Sequence, residues 1–360
     1  MAALRVLIAG GGTGGHIFPA LAVARELVGR HQAEVLFVGT ARGIETRLVP
    51  EAGFDLKLIE VGPLKNVSLT TRLRTAVDLP RSIFVCRRIL RDFKPGVVLG
   101  IGGYASGPGM AAALMLRLPT MAFEPNAMPG FANRLIGKRV SAAVVNFPAA
   151  ARWFHNAEVT GVPVRPEFFA VPPLSETPHL LVFGGSQGAR LFNITLPKIA
   201  KSILDAVPGL TILHQAGTRS ADSTQAAYVE SGADPNRWRV EPFLNDMPSH
   251  FARATLVMSR SGASTVAELA AAGRPSLLVP FAAAADDHQT RNAEELVKAG
   301  AAVLLKETDL AQPERLENVL AELLKDPARL EQMAANARSQ AHPGAAAQIA
   351  DRLASMARVS

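Results

Sequence analysis

Residues 4–20 read LRVLIAGGGTGGHIFPA, and residues 179–190 read HLLVFGGSQGAR. Each is a short apolar run that stops at a cluster of glycines and passes into a helix-like pattern. Large and β-branched apolar residues suit a buried, pleated strand. Glycines directly after the strand let the backbone turn sharply into a helix. A parallel, doubly wound α/β unit opens in this way, and one such opening in each half predicts two units.

The rest of the chain keeps the rhythm. Further strands are expected at 34–38, 97–101, 119–123 and 142–146 in the first half, and at 210–214, 255–259, 276–279 and 302–305 in the second. Helix-length segments separate them, so both sheets are expected to be parallel and covered on both faces. Between the two series lies VPVRPEFFAVPPLSETPH, residues 162–179, whose five prolines predict a linker without helix or sheet. The expected domains are 1–162 and 163–341, with a C-terminal amphipathic helix, 342–360, returning to the first.

Bulk composition narrows the class. With 360 residues, 48% hydrophobic and 19% charged, both halves can bury a core, and low-complexity disorder is disfavoured. A lone cysteine, Cys86, excludes an internal disulfide and a cysteine-built zinc site. No secretory leader and no uninterrupted apolar segment of membrane-spanning length are expected. The net charge of +7 points to an anionic partner. Aromatic residues are only 6%, and no nucleic-acid-binding signature occurs, so nucleic acid is not the expected partner.

Three glycine-rich turns, 10–15, 102–109 and 184–188, are candidates to present backbone amides to phosphate. Gly10, Gly12 and Gly15 match dinucleotide-binding spacing, but Thr13 and His16 are polar intrusions that such a turn does not need. A dinucleotide site also wants an acid near the end of the second strand. Thr40 and Arg42 stand there, which weakens an NADP reading without removing it. No Walker A sequence and no D-x-D motif occurs.

The second half adds SRSGASTVAELAAAG, 259–273, and PFAAAADDHQTRNA, 280–293. Thr265 and Glu268 have capping-box spacing, with Gly273 and Pro275 ending the helix; a Glu at a helix start is equally suited to accepting sugar hydroxyls. Asp286, Asp287, His288, Gln289 and Asn292 are a dense polar set after a strand end, where open α/β sheets bind ligands.

Taken together, GGGTGGHIFPALAVA (10–24), GIGGYASGPG (100–109), GGSQGAR (184–190), SRSGASTVAELAAAG (259–273) and DDHQTRNA (286–293) resemble the MurG-type N-acetylglucosaminyltransferases of bacterial peptidoglycan synthesis. The resemblance spans nearly the whole chain, in order. It implies the GT-B fold, two Rossmann-like doubly wound α/β domains with an interdomain cleft. It also implies inverting transfer of N-acetylglucosamine from UDP-N-acetylglucosamine to undecaprenyl-pyrophosphoryl-N-acetylmuramyl-pentapeptide (lipid I), giving lipid II. A UDP-sugar transferase with another glycolipid acceptor, an NADP-dependent oxidoreductase and a non-catalytic UDP-sugar-binding scaffold are the alternatives.

By motif, the resemblance assigns Thr13, Gly14 and Gly15 to the donor's reacting end, with Tyr104, Asn126 and Arg165 nearby. Ser186 is expected on the pyrophosphate and the Leu244 backbone on uracil. Ala263, Ser264, Thr265, Val266 and Ala267 are expected around the nucleotide, Glu268 on ribose, and Gln289 and Asn292 by the sugar. His16 is the expected base, because an imidazole titrates near neutral pH; orienting the loop or binding acceptor phosphates are its other roles, and Glu124 is the rival base. Pro125 and Val162 depart from the family pattern, which has amides there. No tightly bound cofactor and no protein-held metal are expected, beyond loosely associated Mg2+.

A polyprenyl acceptor stays in the bilayer, so the enzyme is expected at the cytoplasmic face of the bacterial inner membrane as a peripheral protein, alongside other wall-synthesis proteins. Residues 65–94 carry eight Lys/Arg against two Asp. Arg72, Leu73, Arg74, Val77, Arg81, Ile83, Phe84, Arg87 and Arg88 are expected to face anionic phospholipid.

Overall fold

The computed structural model describes residues 4–61 and 69–357, without the side chains of 69–77 and 285. The chain forms two compact units, Met1–Val164 with His342–Ser360, and Arg165–Ala341. The first holds β1 (Arg5–Ala9), α1 (Gly14–His31), β2 (Glu34–Thr40), α2 (Glu45–Glu51), β3 (Asp55–Ile59), α3 (Leu69–Phe93), β4 (Val97–Gly100), α4 (Ser106–Met115), β5 (Thr120–Glu124), α5 (Phe131–Ile136), β6 (Ala142–Val145), α6 (Pro148–Ala151) and β7 (Ala157–Val159). The second holds α7 (Pro166–Phe169), β8 (His179–Phe183), α8 (Arg190–Ala206), β9 (Thr211–Gln215), α9 (Ala221–Glu230), β10 (Trp238–Glu241), α10 (Met247–Arg253), β11 (Leu256–Ser259), α11 (Ala263–Ala272), β12 (Ser276–Leu278), α12 (His288–Lys298), β13 (Ala302–Leu304), α13 (Pro313–Leu324) and α14 (Pro327–Ser339). A last helix, α15 (Ala345–Met356), belongs to the first unit.

Among the described residues, the first sheet has the order β3-β2-β1-β4-β5-β6-β7 and the second β10-β9-β8-β11-β12-β13, every pairing parallel. Both are therefore wound outward from a central pair, β1/β4 and β8/β11. At those pairs neighbouring connections leave in opposite directions, which opens a crevice at the carboxyl ends of the strands. The ten expected strands all form. β3, β7 and β10 were not expected. Their burial explains why, since DLKLI, AEV and WRVE are edge strands with several exposed or half-buried positions and no continuous apolar run.

The central strands are almost fully buried, as a parallel sheet covered on both faces requires. In the first unit Leu7, Leu36, Val98, Met110 and Val145 share a core with Cys86 and Leu90 of α3. Burial pushes the Cys86 thiol up to about 12, so it packs as a small apolar residue. In the second unit Leu180, Val182, Phe192, Leu196, Met258 and Leu320 form the corresponding core. The proline-rich segment contains more order than its composition predicts. Pro166 opens the one-turn α7, where its missing N–H costs nothing, and Phe168 is fully buried edge-on against Phe251.

The terminal helix packs along α1. Ala345, Ile349, Ala350 and Leu353 are buried, and Asp351 accepts from Arg30 and His31 at 2.8 Å each. Arg352 adds bonds to Glu158 and the Asn156 carbonyl. No helix among the described residues is long and apolar enough to cross a membrane. Truncating a buried leucine leaves a cavity costing about 2–5 kcal/mol. Leu353→Ala should therefore lower the unfolding free energy of the first unit by that amount in urea titrations, while the second unit keeps its own transition.

Candidate functional site

In the first unit, the loops after β1 and β4 stack on one another at the crevice. Gly11 donates to the Gly102 carbonyl at 3.2 Å. Gly103 has φ +78°, and a Cβ there would lie 2.1 Å from the Gly11 carbonyl oxygen, so no other residue fits this crossing. Thr13 is the N-cap of α1 but makes no side-chain capping bond; its Oγ1 faces His16 Nδ1 at 3.3 Å. The His16 ring lies over Gly102, with Nε2 2.8 Å from where a Cβ would stand.

The amides of this loop are already committed. Gly10 donates to the Val38 carbonyl at 2.9 Å, Gly11 to Gly102, and Gly12 to Glu45 Oε2 at 2.7 Å. Glu45 is fully buried, and its Oε1 also accepts from the Thr40 amide and hydroxyl at 2.9 and 3.0 Å. The acid sought by the dinucleotide rule is thus present, but it faces the loop's own backbone. Thr40 is spent on it, and Arg42 is exposed. The Gly10, Gly11 and Gly12 amides, spent on two carbonyls and a buried carboxylate, are not offered to a cofactor phosphate, which counts against the NADP reading. The donors remaining at this corner are the first-turn amides of α1, at Gly14 and Gly15, which no intrahelical carbonyl reaches.

Glu124 ends β5 and is buried. Oε1 accepts from the Asn126 amide at 3.0 Å and Asn126 Nδ2 at 3.1 Å; Oε2 accepts from the Gly130 amide at 3.0 Å and Asn133 Nδ2 at 2.9 Å. Burial raises its pKa, and these bonds oppose the rise. With both oxygens occupied by fixed donors, Glu124 ties down the 125–130 loop and is not placed to take a substrate proton, which corrects its expected role as rival base. Asn126 serves that same tie, and Asn133, which the sequence did not single out, completes it. Pro125 and Val162 are both buried, so apolar side chains stand where family amides would need partners. Tyr104 is exposed beside the second glycine turn.

The second unit's crevice has the opposite character. Gly188 donates to the Gly185 carbonyl, but the amides of Ser186 and Gln187 have no acceptor among the described residues. Ser186 is exposed. The turn is braced from behind, where Asn193 donates to the Ala216 carbonyl at 2.9 Å. Two open amides in the turn that leads into α8, a 17-residue helix, form an anion-ready corner.

On the adjoining strand β11, Gly262 and not Thr265 is the N-cap of α11, and no side-chain cap bond forms. The capping-box reading of Thr265 and Glu268 is thereby corrected. Gly273 does end the helix, in the left-handed conformation. Ser264 Oγ is buried without a hydrogen-bond partner among the described residues. Ala263, Thr265 and Ala267 are half-buried, while the Val266 side chain lies in the core, leaving only its backbone for a ligand. Burial pushes Glu268 up to about 7, against the pull of the Arg165 guanidinium. Arg165 stacks over Phe168 at 5.1 Å and also draws down the Asp246 carboxyl, after that residue's own bonds to Ser249. Arg165, Asp246 and Glu268 therefore share one electrostatic neighbourhood. The Leu244 side chain is buried two residues before Asp246.

Gln289 lies in the first turn of α12, and its Oε1 accepts from the Phe281 amide at 3.0 Å and more weakly from Ser261 at 3.4 Å. Its carbonyl accepts from Ser261 Oγ at 2.8 Å. Asn292 is fully buried and donates to the Ser261 carbonyl at 3.1 Å, so it holds the loop after β11 and is not at the surface where a sugar would sit. Asp286 and Asp287 both adopt φ +53°, a strained left-handed pair just before α12. Arg260, another residue the sequence left without a role, donates to the Val279 and Pro280 carbonyls, pairs with Glu307, and sits between Phe192 and Phe281. Among the described residues, no group of three His, Cys, Asp or Glu is arranged to hold a metal.

Two parallel α/β units, each with a loop-lined crevice at its switch point, are the architecture of a two-domain glycosyltransferase. Residues 6–145 match the glycosyltransferase family 28 N-terminal domain, and residues 179–349 match its C-terminal domain. The chain belongs to glycosyltransferase family 28 and, within it, to the MurG-type enzymes. It is 46% identical over 356 residues to a Solibacter usitatus protein named UDP-N-acetylglucosamine–N-acetylmuramyl-(pentapeptide) pyrophosphoryl-undecaprenol N-acetylglucosamine transferase, covering 98% of this chain and 96% of that one. A Myxococcus xanthus protein of the same name is 41% identical over 97% of this chain and 92% of its own. The crystal structure of Acinetobacter baumannii MurG superposes with a TM-score of 0.82 at 31% identity, covering 98% of this chain and 99% of that one.

A carboxyl with its pKa near 7 accepts hydroxyl hydrogen bonds well only once ionised. UDP affinity should therefore rise between pH 6 and pH 8, as Glu268 loses its proton, and Glu268→Gln should flatten that rise in calorimetric titrations.

Proposed function

We propose that this chain transfers N-acetylglucosamine from UDP-N-acetylglucosamine to lipid I, forming lipid II. Family membership over nearly the whole length supports the reaction. The observation that carries the division of labour is the contrast between the two glycine turns. The second unit, with open amides at Ser186 and Gln187 and the unpartnered Ser264 hydroxyl, takes the donor's diphosphate. Glu268 takes the ribose, and Gln289, its Oε1 already held, offers Nε2 to the sugar. The first unit, with its Gly10, Gly11 and Gly12 amides spent internally, meets the acceptor.

Transfer is a single displacement. The acceptor hydroxyl oxygen bonds to the anomeric carbon on the face opposite the phosphate, the bond from that carbon to the UDP oxygen breaks, and the hydroxyl proton goes to a base. His16 takes this proton. In the tautomer that donates Nδ1–H to Thr13 Oγ1, the lone pair is on Nε2. Amides and helix termini of the second unit, together with Arg165, stabilise the charge that develops on UDP. Mg2+, where the reaction uses it, travels loosely with the diphosphates.

The direct test is UDP release with and without a short-chain lipid I analogue. We expect release only with the analogue, and a product heavier by one N-acetylglucosamine. Release without the analogue, or none with it, overturns the assignment. His16→Ala should reduce kcat by roughly 10²–10⁴ with UDP affinity unchanged; a loss confined to acceptor KM would instead make His16 a phosphate ligand.

We also read α3 as the membrane-facing element, at the cytoplasmic face of the inner membrane. Arg81, Phe84, Val85 and Arg88 follow the spacing of one helical face, and the large apolar residues among them are exposed, Phe84 by 70%. Ile83 packs against the unit's own core and Arg87 is half-buried with its Nε unpartnered, so these two are withdrawn from the lipid surface. The side chains of Arg72, Leu73, Arg74 and Val77 lie outside the described residues. Each basic residue near an anionic surface contributes about 1 kcal/mol. Reversing Arg81 and Arg88 and replacing Phe84 by serine should weaken binding to phosphatidylglycerol liposomes at least tenfold; unchanged binding would reject this face.

A further inference from the structure

We infer that Glu45 is a positioning residue for the transfer, acting through the glycine loop that carries Thr13 and His16; the inference rests on the transfer reading above. Glu45 is fully buried, so it touches neither substrate. Its carboxylate joins two backbone segments, the end of β2 through the Thr40 amide and hydroxyl, and the loop through the Gly12 amide at 2.7 Å. Gly12 is followed directly by Thr13, whose hydroxyl faces His16 Nδ1 at 3.3 Å. The orientation of the base is therefore set through one covalent step from an amide that a buried acid holds.

The surroundings are shaped to this carboxylate. A Cβ on Gly11 would stand 2.4 Å from its carbon, one on Gly39 2.6 Å from Cγ, and one on Gly43 1.8 Å from Oε2. Three glycines from three segments close around one side chain. Glu45 also opens α2, where the helix N-terminus favours a negative charge. All three bonds come from donors, so the site needs a group that only accepts. A carboxamide of the same size must turn an NH2 toward either Gly12 N–H or the Thr40 pair, setting donor against donor. The loop then loses its anchor although the space stays filled.

The experiment uses the full chain, as Glu45→Gln, Gly43→Ala, His16→Ala and the two double variants with His16→Ala. Gly43→Ala keeps the carboxylate and displaces it from the opposite side, so it probes the same contact without altering charge. Misplacing a catalytic group by about 1 Å costs roughly 10²-fold. Both single variants should lose about that factor in kcat, with KM for UDP-N-acetylglucosamine and UDP affinity unchanged. Each double variant should be no slower than His16→Ala alone, because Glu45 acts only through the base. The His16 ring resonances should shift in both single variants, a readout independent of turnover. Full kcat in Glu45→Gln, losses that multiply with His16→Ala, or unmoved His16 resonances would overturn the inference. A wild-type chain that forms no lipid II rejects the transfer reading itself.

Discussion

A parallel sheet wound outward from two central strands has one place where adjacent connections diverge, and everything functional in this chain follows from that constraint. Elsewhere along the carboxyl edge, each loop turns back toward a helix on the same side as its neighbour's. At β1/β4 and at β8/β11 the loops part, and the helices that follow them point their N-termini into the gap. The glycine turns at 10–12, 102–103 and 184–188 follow three of those four strands, and Arg260–Gly262 follows the fourth. Burial of the central strands is what holds these loop ends rigid: Leu7, Val98, Leu180 and Met258 are all essentially inaccessible. Loops supported in this way can be specialised without disturbing the core beneath them.

The same plan has been specialised in two chemical directions, and backbone amides record the difference. A peptide N–H must find an acceptor, and an amide left open at a helix start seeks an anion. At 10–12 the acceptors are internal: two carbonyls and a buried carboxylate. At 186–187 they are missing among the described residues, which leaves two amides available to an anion. Two turns of similar sequence therefore differ in whether phosphate is invited, and spacing of glycines alone does not carry that distinction. Glycine permits the geometry, while the neighbours decide what the geometry holds.

This sets the limit of what was legible from residues in order. Strands at 4–9, 97–101, 179–183 and 255–259 are apolar on both faces, so their existence and parallel pairing could be read directly. DLKLI and WRVE could not, because an edge strand shares its composition with a surface loop. At the site, the motif residues were visible as polar intrusions in glycine-rich turns. Glu45 was not, because an acid at the start of a short helix ordinarily faces water. The signal was present in its company: GTARGIE places Gly39 and Gly43 six and two residues before one acid, a density of missing side chains that a solvated carboxylate does not need. Asn133 and Arg260 were hidden for a related reason, since their partners are carbonyls and carboxylates distant in sequence.

Three glutamates show how far environment overrides residue type. Glu45 and Glu124 are buried and Glu268 is half-buried, and burial raises the pKa of Glu124 and Glu268. Glu45 meets three donors and Glu124 four, fixed in position, so each is bound as an acceptor and anchors backbone. Glu268 has no comparable set; the distant pull of Arg165 leaves its pKa near neutral. A carboxyl whose acceptor capacity is already filled can only hold what surrounds it. One short of donors keeps acceptor capacity for hydroxyls from outside the protein. Of the three, then, Glu268 alone has acceptor capacity left to offer, while Glu45 and Glu124 hold backbone.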